Sequence, residues 1–270
     1  KGILLYGPPG VGKCVAEDTL ILTKSGFKKI KEYSLEDTKK DDYKKLKIRV
    51  MGRKRIVPTS HIYDGGISDT IKIETTQGYK LEGTPEHPIL VMNEKGKIVY
   101  KNLDQLKNGE FVIIQRGQNT FGKKLKLPKF SHKIYKNIKN IRIPKILTTN
   151  LAIILGYNIV EGCISNTDKR RITNGRIIFS NCEKEIINHY NQLMKKVFDL
   201  DVKIEKKEVN SVSIYVDSVI LSRFLGKIGY SRSLSDKKVI PECIMSAPKS
   251  IVCSFLKAYF EGEGYFCFRK

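Results

Sequence analysis

Long hydrophobic runs are missing from this sequence of 270 residues. No apolar stretch approaches the roughly 20 residues that a membrane-spanning helix needs. The amino-terminal residues also lack the positively charged, apolar and small-residue segments that make up a signal peptide. These absences argue against a membrane or secreted protein, and we expect a cytoplasmic one.

Cysteine motifs are lacking as well. The six cysteines form no C-x-x-C pair, and none stands at zinc-finger spacing from a histidine. They indicate a reducing compartment, in which a free cysteine is usually an ordinary small core residue. That interpretation fits five of them: Cys163, Cys182, Cys243, Cys253 and Cys267. Only the sequence around Cys14 indicates a chemically reactive cysteine.

Acidic residues are few relative to basic ones. The chain has 50 Lys and Arg against 28 Asp and Glu, a net charge of +22. This excess favours an acidic partner, with nucleic acid as the first candidate and a membrane surface as the second. Residues 117–270 hold 28 of the basic and 13 of the acidic residues. Nucleic-acid binding is therefore predicted for the second part of the chain.

A phosphate-binding loop begins near the amino terminus and is not completed. Residues 7–13 follow the pattern G-x-x-x-x-G-K, which should continue with a Ser or Thr that holds Mg2+. Cys14 stands there instead, and its soft sulfur is a poor Mg2+ ligand. Residues 15–23 predict a strand where the loop should open a helix. Residues 1–13, including a buried strand at 3–6, therefore resemble the start of an ATPase that another protein interrupts.

The region after this loop is predicted to be all β. Short strands and turns alternate over residues 18–115, and residues 70–75 alternate apolar and charged side chains as a half-buried strand does. Residues 117–148 follow with nine Lys and Arg and no acid. This segment is equally consistent with a soluble linker and with a basic strap along a DNA backbone.

Mixed helices and strands follow residue 150. Residues 182–198 have apolar side chains at the spacing of an amphipathic helix. Further helices are predicted at 151–160, 219–228 and 248–260, and strands at 172–180, 202–205 and 212–216. With one more strand that the pattern does not locate, the predicted order is helix, two strands, helix, two strands, helix.

Cys14, Thr84 and His87 form the first candidate site. A thiolate at the head of a strand can attack the carbonyl carbon of the preceding residue and convert the peptide bond to a thioester. A donor must then protonate or polarise the departing amide nitrogen. His87 is the candidate donor, and the Thr84 hydroxyl can hold either the histidine or the amide. Thr-x-x-His is weak alone but specific beside a cysteine in an interrupted loop.

An internal repeat supplies the second candidate site. Two apolar helix ends close in Glu-Gly, with Glu161 and Glu263 102 residues apart, which indicates duplication. Carboxylates at the ends of paired helices can hold divalent ions beside a scissile phosphate, and neighbouring glycines allow close helix approach. One Glu-Gly is more often an ordinary helix end. Two copies on apolar helices favour the functional interpretation.

The chain resembles the inteins that interrupt archaeal AAA-type ATPases, in the subclass with an embedded LAGLIDADG (DOD-type) homing endonuclease. Residues 14–19, 83–88 and 103–112 are similar to three segments of the family's splicing domain. The resemblance implies an incomplete all-β Hint horseshoe in which Cys14 performs an N-to-S acyl shift. It implies next an α+β endonuclease repeat of order αββαββα and the first helix of a second repeat.

The resemblance also implies a division of the chain. It assigns the N-terminal extein to residues 1–13, the first part of the splicing domain to 14–116, a basic linker to 117–148, the first endonuclease repeat to 149–247 and a truncated second repeat to 248–270. The terminal splicing segment of the family is not found. We therefore expect a fragment whose partners are double-stranded DNA, the missing C-terminal intein segment and the C-extein, and no membrane.

Several residue roles follow from the resemblance alone. Glu161 and Glu263 would bind Mg2+ for DNA cleavage, assisted by Lys238 or, nearly as well, Lys237. The implied DNA contacts are Lys169, Arg170, Arg171, Arg176, Lys203, Lys206, Lys207 and Arg232. Splicing would need no cofactor. Gly10, Gly12 and Lys13 would serve ATP only after excision restores the host's loop.

Two other interpretations stay open at this point. The first is a P-loop AAA ATPase with an insertion that is never excised, which requires nucleotide binding by the chain as it stands. The second is a basic DNA-binding module without catalysis, whose DNA affinity would not depend on Mg2+.

Overall fold

The computed structural model describes residues 2–5, 13–33, 42–52, 55–131, 141–166, 175–207, 211–230 and 238–263. For residues 2–5, 42, 165, 166, 205–207 and 263 it describes the backbone only. The chain divides into two compact units, Lys1–Phe121 and Gly122–Lys270.

The first unit is built from short strands, as predicted. In chain order they are β1 (Gly2–Leu5), β2 (Val15–Ala16), β3 (Leu20–Thr23), β4 (Gly26–Lys29), β5 (Asp42–Lys45), β6 (Arg49–Met51), β7 (Ile56–Pro58), β8 (His61–Asp64), β9 (Ile71–Glu74), β10 (Lys80–Gly83), β11 (Pro88–Met92), β12 (Ile98–Asn102) and β13 (Phe111–Val112). Two 3-10 turns cover Ile30–Tyr33 and Leu103–Gln105. The strands form antiparallel sheets of order β5-β8-β1-β2-β10-β9, β4-β3-β6-β7 and β12-β11-β13.

The prediction of one continuous strand over residues 15–23 is wrong, because the structure has two strands there. A turn at Glu17 and Asp18 interrupts it, closed by the Thr19 amide donating to the Ala16 carbonyl at 2.9 Å. Acidic residues are poor strand formers, and the Asp18 carboxylate instead pairs with Lys29 at 2.7 Å. The turn sends β2 and β3 into different sheets, which separates Cys14 from the second sheet.

Side-chain burial in the first unit is modest. Its described core consists of two small clusters, one around Ile30 and Ile62 and one around Ile89, Val91 and Leu103. Backbone pairing across the sheets therefore carries much of the organisation of this unit.

The second unit confirms the mixed α and β prediction. In chain order its elements are α1 (Thr149–Glu161), β14 (Gly162–Asn166), β15 (Gly175–Asn181), α2 (Lys184–Phe198), β16 (Lys203–Lys207), β17 (Val212–Asp217), α3 (Val219–Lys227), α4 (Glu242–Met245) and α5 (Lys249–Glu263). The strands form one antiparallel sheet of order β14-β15-β17-β16. The strand that the sequence pattern did not locate is β14, which follows α1 without a loop.

Local signals in the sequence fix the helix ends. The Thr148 hydroxyl caps α1 by accepting from the Leu151 amide at 3.3 Å, and the Ser218 hydroxyl caps α3 by accepting from the Leu221 amide at 3.2 Å. Asp199 ends α2 with a left-handed φ of 56°. Aspartate tolerates this conformation better than most residues, so the helix stops there.

One large core holds the second unit together. It lies between the helices and one face of the sheet. Leu127 and Leu147, from the segment predicted as a basic linker, are buried in this core. Among the described residues, no helix combines the length and the apolar character needed to cross a membrane.

Candidate functional site

Cys14 lies at the junction of two neighbouring strands. It immediately precedes β2, and its side chain is buried. The end of β10 pairs with β2 through Gly83 and Val15. Thr84 and His87 lie in the turn that leads from β10 to β11, where the His87 amide donates to the Thr84 carbonyl at 2.9 Å. The sheet therefore brings Cys14 next to a turn that lies 70 residues further along the chain.

The polar groups of this turn hold the peptide bond between Lys13 and Cys14. The Cys14 amide donates to the Thr84 hydroxyl at 3.0 Å, and the Thr84 amide donates to the Cys14 carbonyl at 2.9 Å. His87 Nδ1 lies 3.2 Å from the Lys13 carbonyl oxygen. The threonine thus contacts the amide nitrogen, while the histidine contacts the carbonyl oxygen of the same bond. The sequence prediction had placed the histidine at the nitrogen.

The protonation of His87 follows from this contact. A carbonyl oxygen can only accept, so Nδ1 must carry the hydrogen. Burial lowers the pKa of His87, an effect that the hydrogen bond to Lys13 only partly opposes. The residue is therefore a neutral imidazole at pH 7 that donates through Nδ1. A neutral donor in a partly dry position can polarise a carbonyl without delivering a proton to it.

Gly83 is a part of the site that the sequence prediction did not single out. A β-carbon at this position would lie 2.8 Å from the Cys14 carbonyl oxygen and 3.3 Å from the His87 β-carbon. No side chain fits without moving the turn. A glycine inside a strand pattern often marks such a close backbone approach, so the signal was present in the sequence.

We expect a pH dependence of stability that His87 controls. Because the folded state lowers its pKa below the usual 6.5, unfolding takes up a proton between these two values. Stability is full above about pH 6.5 and falls as the pH drops towards the folded pKa. Urea unfolding of the wild type and His87→Asn at several pH values measures this effect. The free energy of unfolding should decline less in the variant as the pH falls, and the two declines should differ by less than about 1 kcal/mol because the ring is partly exposed. Parallel declines in the two proteins would contradict this assignment.

Of the interrupted phosphate loop, the structure describes Lys13, while Gly10 and Gly12 lie outside the described residues. The Cys14 amide, which a phosphate-binding loop would direct at a phosphate, is bonded to Thr84 instead.

The second candidate site begins with the close packing of α1 and α5. A β-carbon on Gly156 would lie 2.5 Å from the Phe255 carbonyl oxygen and 2.9 Å from the Ala258 β-carbon. One on Gly262 would lie 2.7 Å from a Val160 methyl group. The order of these contacts means that the two helices run side by side in the same direction. Their carboxyl-terminal ends, at Glu161 and Glu263, therefore lie together.

The predicted acids stand at those ends. Glu161 is the last residue of α1 and is exposed. Glu263 ends α5, and its side chain lies outside the described residues. In the described residues no cluster of three or more His, Cys, Asp or Glu could hold a metal ion.

Lys238 contacts the end of α1. Its ammonium group lies 2.9 Å from the Ile159 carbonyl oxygen and 2.8 Å from that of Gly162. The Tyr230 hydroxyl joins it by donating to the Asn158 and Gly162 carbonyl oxygens at 2.8 and 3.1 Å. A cation and a hydroxyl donor at the negative end of a helix stabilise that end. The sequence analysis named Lys238, whose predicted part in DNA cleavage stays a prediction, and did not name Tyr230, for which no local signal exists.

The outer face of the β14-β15-β17-β16 sheet combines polar and apolar side chains. Alternation along β15 and β17 directs Ile177, Phe179, Ile214 and Val216 to the core and leaves Arg176, Ile178, Ser180, Ser213 and Tyr215 on the other face. The Arg176 guanidinium pairs with Asp217 at 2.7 Å and lies 4.0 Å over the Tyr215 ring centre.

The other predicted DNA contacts are only partly described. Lys203 is exposed at the start of β16, opposite Tyr215. Lys206 and Lys207 lie on β16, where only the backbone is described. Lys169, Arg170, Arg171 and Arg232 lie outside the described residues, as does Lys237.

A strand-rich unit that surrounds one of its own peptide bonds with a buried cysteine, a threonine and a histidine has the arrangement of a self-processing protein domain. Comparison with known families gives the same answer. The chain belongs to the intein splicing domain family, whose model matches residues 20–218. Protein splicing, an autocatalytic reaction, is the activity of that family.

Individual relatives carry different names. The chain is 31% identical to a component of the A-type ATP synthase of Pyrococcus abyssi, over 96% of its own length and 26% of the relative's. It is 29% identical to the replication factor C small subunit of Methanocaldococcus jannaschii, over 97% of this chain and 13% of that protein. A third relative, a glutamine--fructose-6-phosphate aminotransferase of the same organism, is 26% identical over 69% of this chain and 18% of that protein. The chain thus spans about a quarter or less of these relatives.

Proposed function

We propose that this chain carries out the first step of protein splicing at the bond between Lys13 and Cys14. The observation that carries the proposal is the convergence of Thr84 on the amide nitrogen and of His87 on the carbonyl oxygen of that peptide group, at 3.0 and 3.2 Å. Residues 1–13 are then the N-terminal extein, taken from the phosphate loop of an AAA-type ATPase host.

The reaction is an N-to-S acyl shift. Cys14 Sγ attacks the Lys13 carbonyl carbon, and the negative charge that develops on the oxygen is stabilised by the His87 Nδ1 hydrogen. The bond between the Lys13 carbonyl carbon and the Cys14 nitrogen then breaks, and the new bond between that carbon and Cys14 Sγ is kept as the thioester. The thiol proton ends on the nitrogen, which becomes the free amine of Cys14. The Thr84 hydroxyl orients that nitrogen throughout.

The names of the relatives support an inserted element. An ATP synthase component, a replication factor component and an aminotransferase are similar to 96%, 97% and 69% of this chain, respectively. An element that enters unrelated hosts and excises itself accounts for this pattern, since each host would otherwise need to have acquired the segment for its own use.

Thiol treatment tests the proposal directly. Dithiothreitol should displace Cys14 Sγ from the thioester and release a peptide of 13 residues that ends at Lys13, which liquid chromatography can follow over time. No nucleotide affinity is expected at the same time. Measurable ATP binding without any release would favour the ATPase interpretation instead.

We further propose that the second unit is one repeat of a LAGLIDADG homing endonuclease, with α5 as the first helix of another repeat. The described order of helices and strands is αββαββα from α1 to α3. The contacts between α1 and α5 support duplication, because Gly156 meets Ala258 and Val160 meets Gly262. Both pairs are 102 residues apart, as are Glu161 and Glu263, so equivalent positions face each other across the helix pair.

Exposure along α5 supports the same proposal. Ile154 and Asn158 of α1 are 1% and 0% exposed beneath their own sheet, whereas their equivalents Leu256 and Phe260 are 38% and 57% exposed. An apolar helix face of this kind is expected to be covered in the assembled protein. The strands of a second repeat, contributed by the C-terminal part of the intein, would cover it.

Double-stranded DNA is the proposed partner of the outer sheet face, and Mg2+ held by Glu161 and Glu263 would supply the divalent charge for phosphodiester hydrolysis.

Binding of duplex DNA by this chain should weaken steeply with salt. At a fixed salt concentration, the double variant Arg176→Ala/Lys203→Ala should bind the duplex about tenfold more weakly than the wild type, because phosphate contacts are lost. Combined Lys97→Ala and Lys107→Ala, two exposed positions of the first unit, is the matched control. Equal losses in both double variants would contradict a DNA site on this sheet.

A further inference from the structure

The six-stranded sheet of the first unit is joined in its middle by β1. Strands β5 and β8 form one part of this sheet, and β2, β10 and β9 form the other. Among the described strands, β1 is the one that pairs with both parts. It runs antiparallel to β2, with Gly2 opposite Ala16 and Ile3 opposite Val15. It also runs antiparallel to β8, with Leu4 opposite Tyr63.

The sheet would have two facing open edges without β1. The inner edges of β2 and β8 would then present unpaired backbone amides and carbonyls. With β1 in place, Ile62 and Asp64 of β8 are only 2% and 6% exposed, so β1 lies against a buried part of this edge. An open edge of this kind accepts another strand by backbone pairing.

The same pairing reaches the splicing site. Val15 lies between Ile3 on one side and Gly83 on the other. Cys14, its neighbour, carries the amide that Thr84 holds. A strand paired on both edges is more restricted than a strand paired on one, so β1 limits the positions that the Lys13 to Cys14 bond can take.

We propose that the slot between β2 and β8 is a strand-addition site, and that residues 2–5 fill it as a positioning element for the splicing site. This rests on the proposed function, under which residues 2–5 belong to the host protein. Recognition is by backbone pairing, so the slot accepts any host segment that forms a strand and discriminates little among side chains. A host strand just ahead of the insertion point then becomes part of the splicing fold until it is released.

Two measurements separate this proposal from the acyl shift itself. In Cys14→Ala, where the bond stays intact, those amides of residues 3–5 that pair with β2 or β8 should exchange with solvent slowly, as amides inside a sheet do. With Cys14 present, Ile3→Pro should slow dithiothreitol-induced release about tenfold or more, because proline lacks the amide hydrogen and clashes in a central strand. Ile3→Val, which keeps a strand-forming side chain, should change the rate by less than about twofold.

A second variant guards against a general folding defect in Ile3→Pro. It replaces residues 2–5 with a flexible Gly/Ser tetrapeptide and should also release slowly while keeping the far-ultraviolet circular dichroism of the wild type. Fast amide exchange at residues 3–5, or equal release from the proline, valine and Gly/Ser variants, would overturn the proposal. Slow exchange in a chain that releases no peptide would retain the strand-addition site and refute the acyl shift.

Discussion

Cys14→Ala is expected to abolish thiol-induced release of the amino-terminal peptide. Alanine offers no nucleophile, so the rate should fall at least about a thousandfold, to the background of peptide hydrolysis. Cys14→Ser keeps an oxygen nucleophile and should give slow release with hydroxylamine, which cleaves esters. Release is to be measured by chromatography at fixed protein and nucleophile concentrations.

The matched control for this prediction is Cys163→Ala. Cys163 is an exposed cysteine of the second unit, and its removal should leave the release rate unchanged. Release from Cys14→Ala at the wild-type rate would mean that another group attacks the Lys13 carbonyl, and the role proposed for Cys14 would then be wrong.

Gly156→Ala is expected to destabilise the second unit by about 1 to 3 kcal/mol, the usual cost of overpacking. The new methyl group would collide with the backbone of α5 at the Phe255 carbonyl oxygen, 2.5 Å away, and a backbone atom cannot move aside as a flexible side chain can. All α-helices of the described residues lie in this unit, so the helical circular dichroism signal in urea reports its free energy of unfolding.

Gly226→Ala provides the comparison in the same unit. Gly226 lies in α3, and a β-carbon there would have nothing within 4 Å. Alanine is the better helix former, so this change should stabilise the unit by up to about 1 kcal/mol. Destabilisation of similar size in both variants would show that the close approach of α1 and α5 is not what Gly156 provides.

The sequence was sufficient to select the residues that meet at the Lys13 to Cys14 peptide bond, but not to assign their contacts. Cys14, Thr84 and His87 were predicted together because each fits a chemical role. Which atom each group contacts depends on how β10 pairs with β2, a long-range contact that local pattern does not encode. For this reason the histidine was expected at the amide nitrogen and lies at the carbonyl oxygen.

In the second unit, too, the sequence predicted some features and not others. The repeat of Glu-Gly predicted that two helix ends lie together, because repeated sequence implies repeated structure. The strand β14 escaped prediction because it starts directly at the α1 cap, with no turn residues to separate it. The hydroxyl of Tyr230 at the end of α1 also could not be predicted, since 68 residues separate it from Gly162.

The most direct test of the whole account is the mass of the peptide that hydroxylamine releases from the wild-type chain. Attack on a thioester at Lys13 gives residues 1–13 with a hydroxamate at the carboxyl end, leaving a protein that begins at Cys14 with a free amine. Mass spectrometry of both products should show this single cut and no other. An uncleaved chain, or a hydroxamate at any other residue, would contradict the claim that the Lys13 to Cys14 bond is the substrate of this domain.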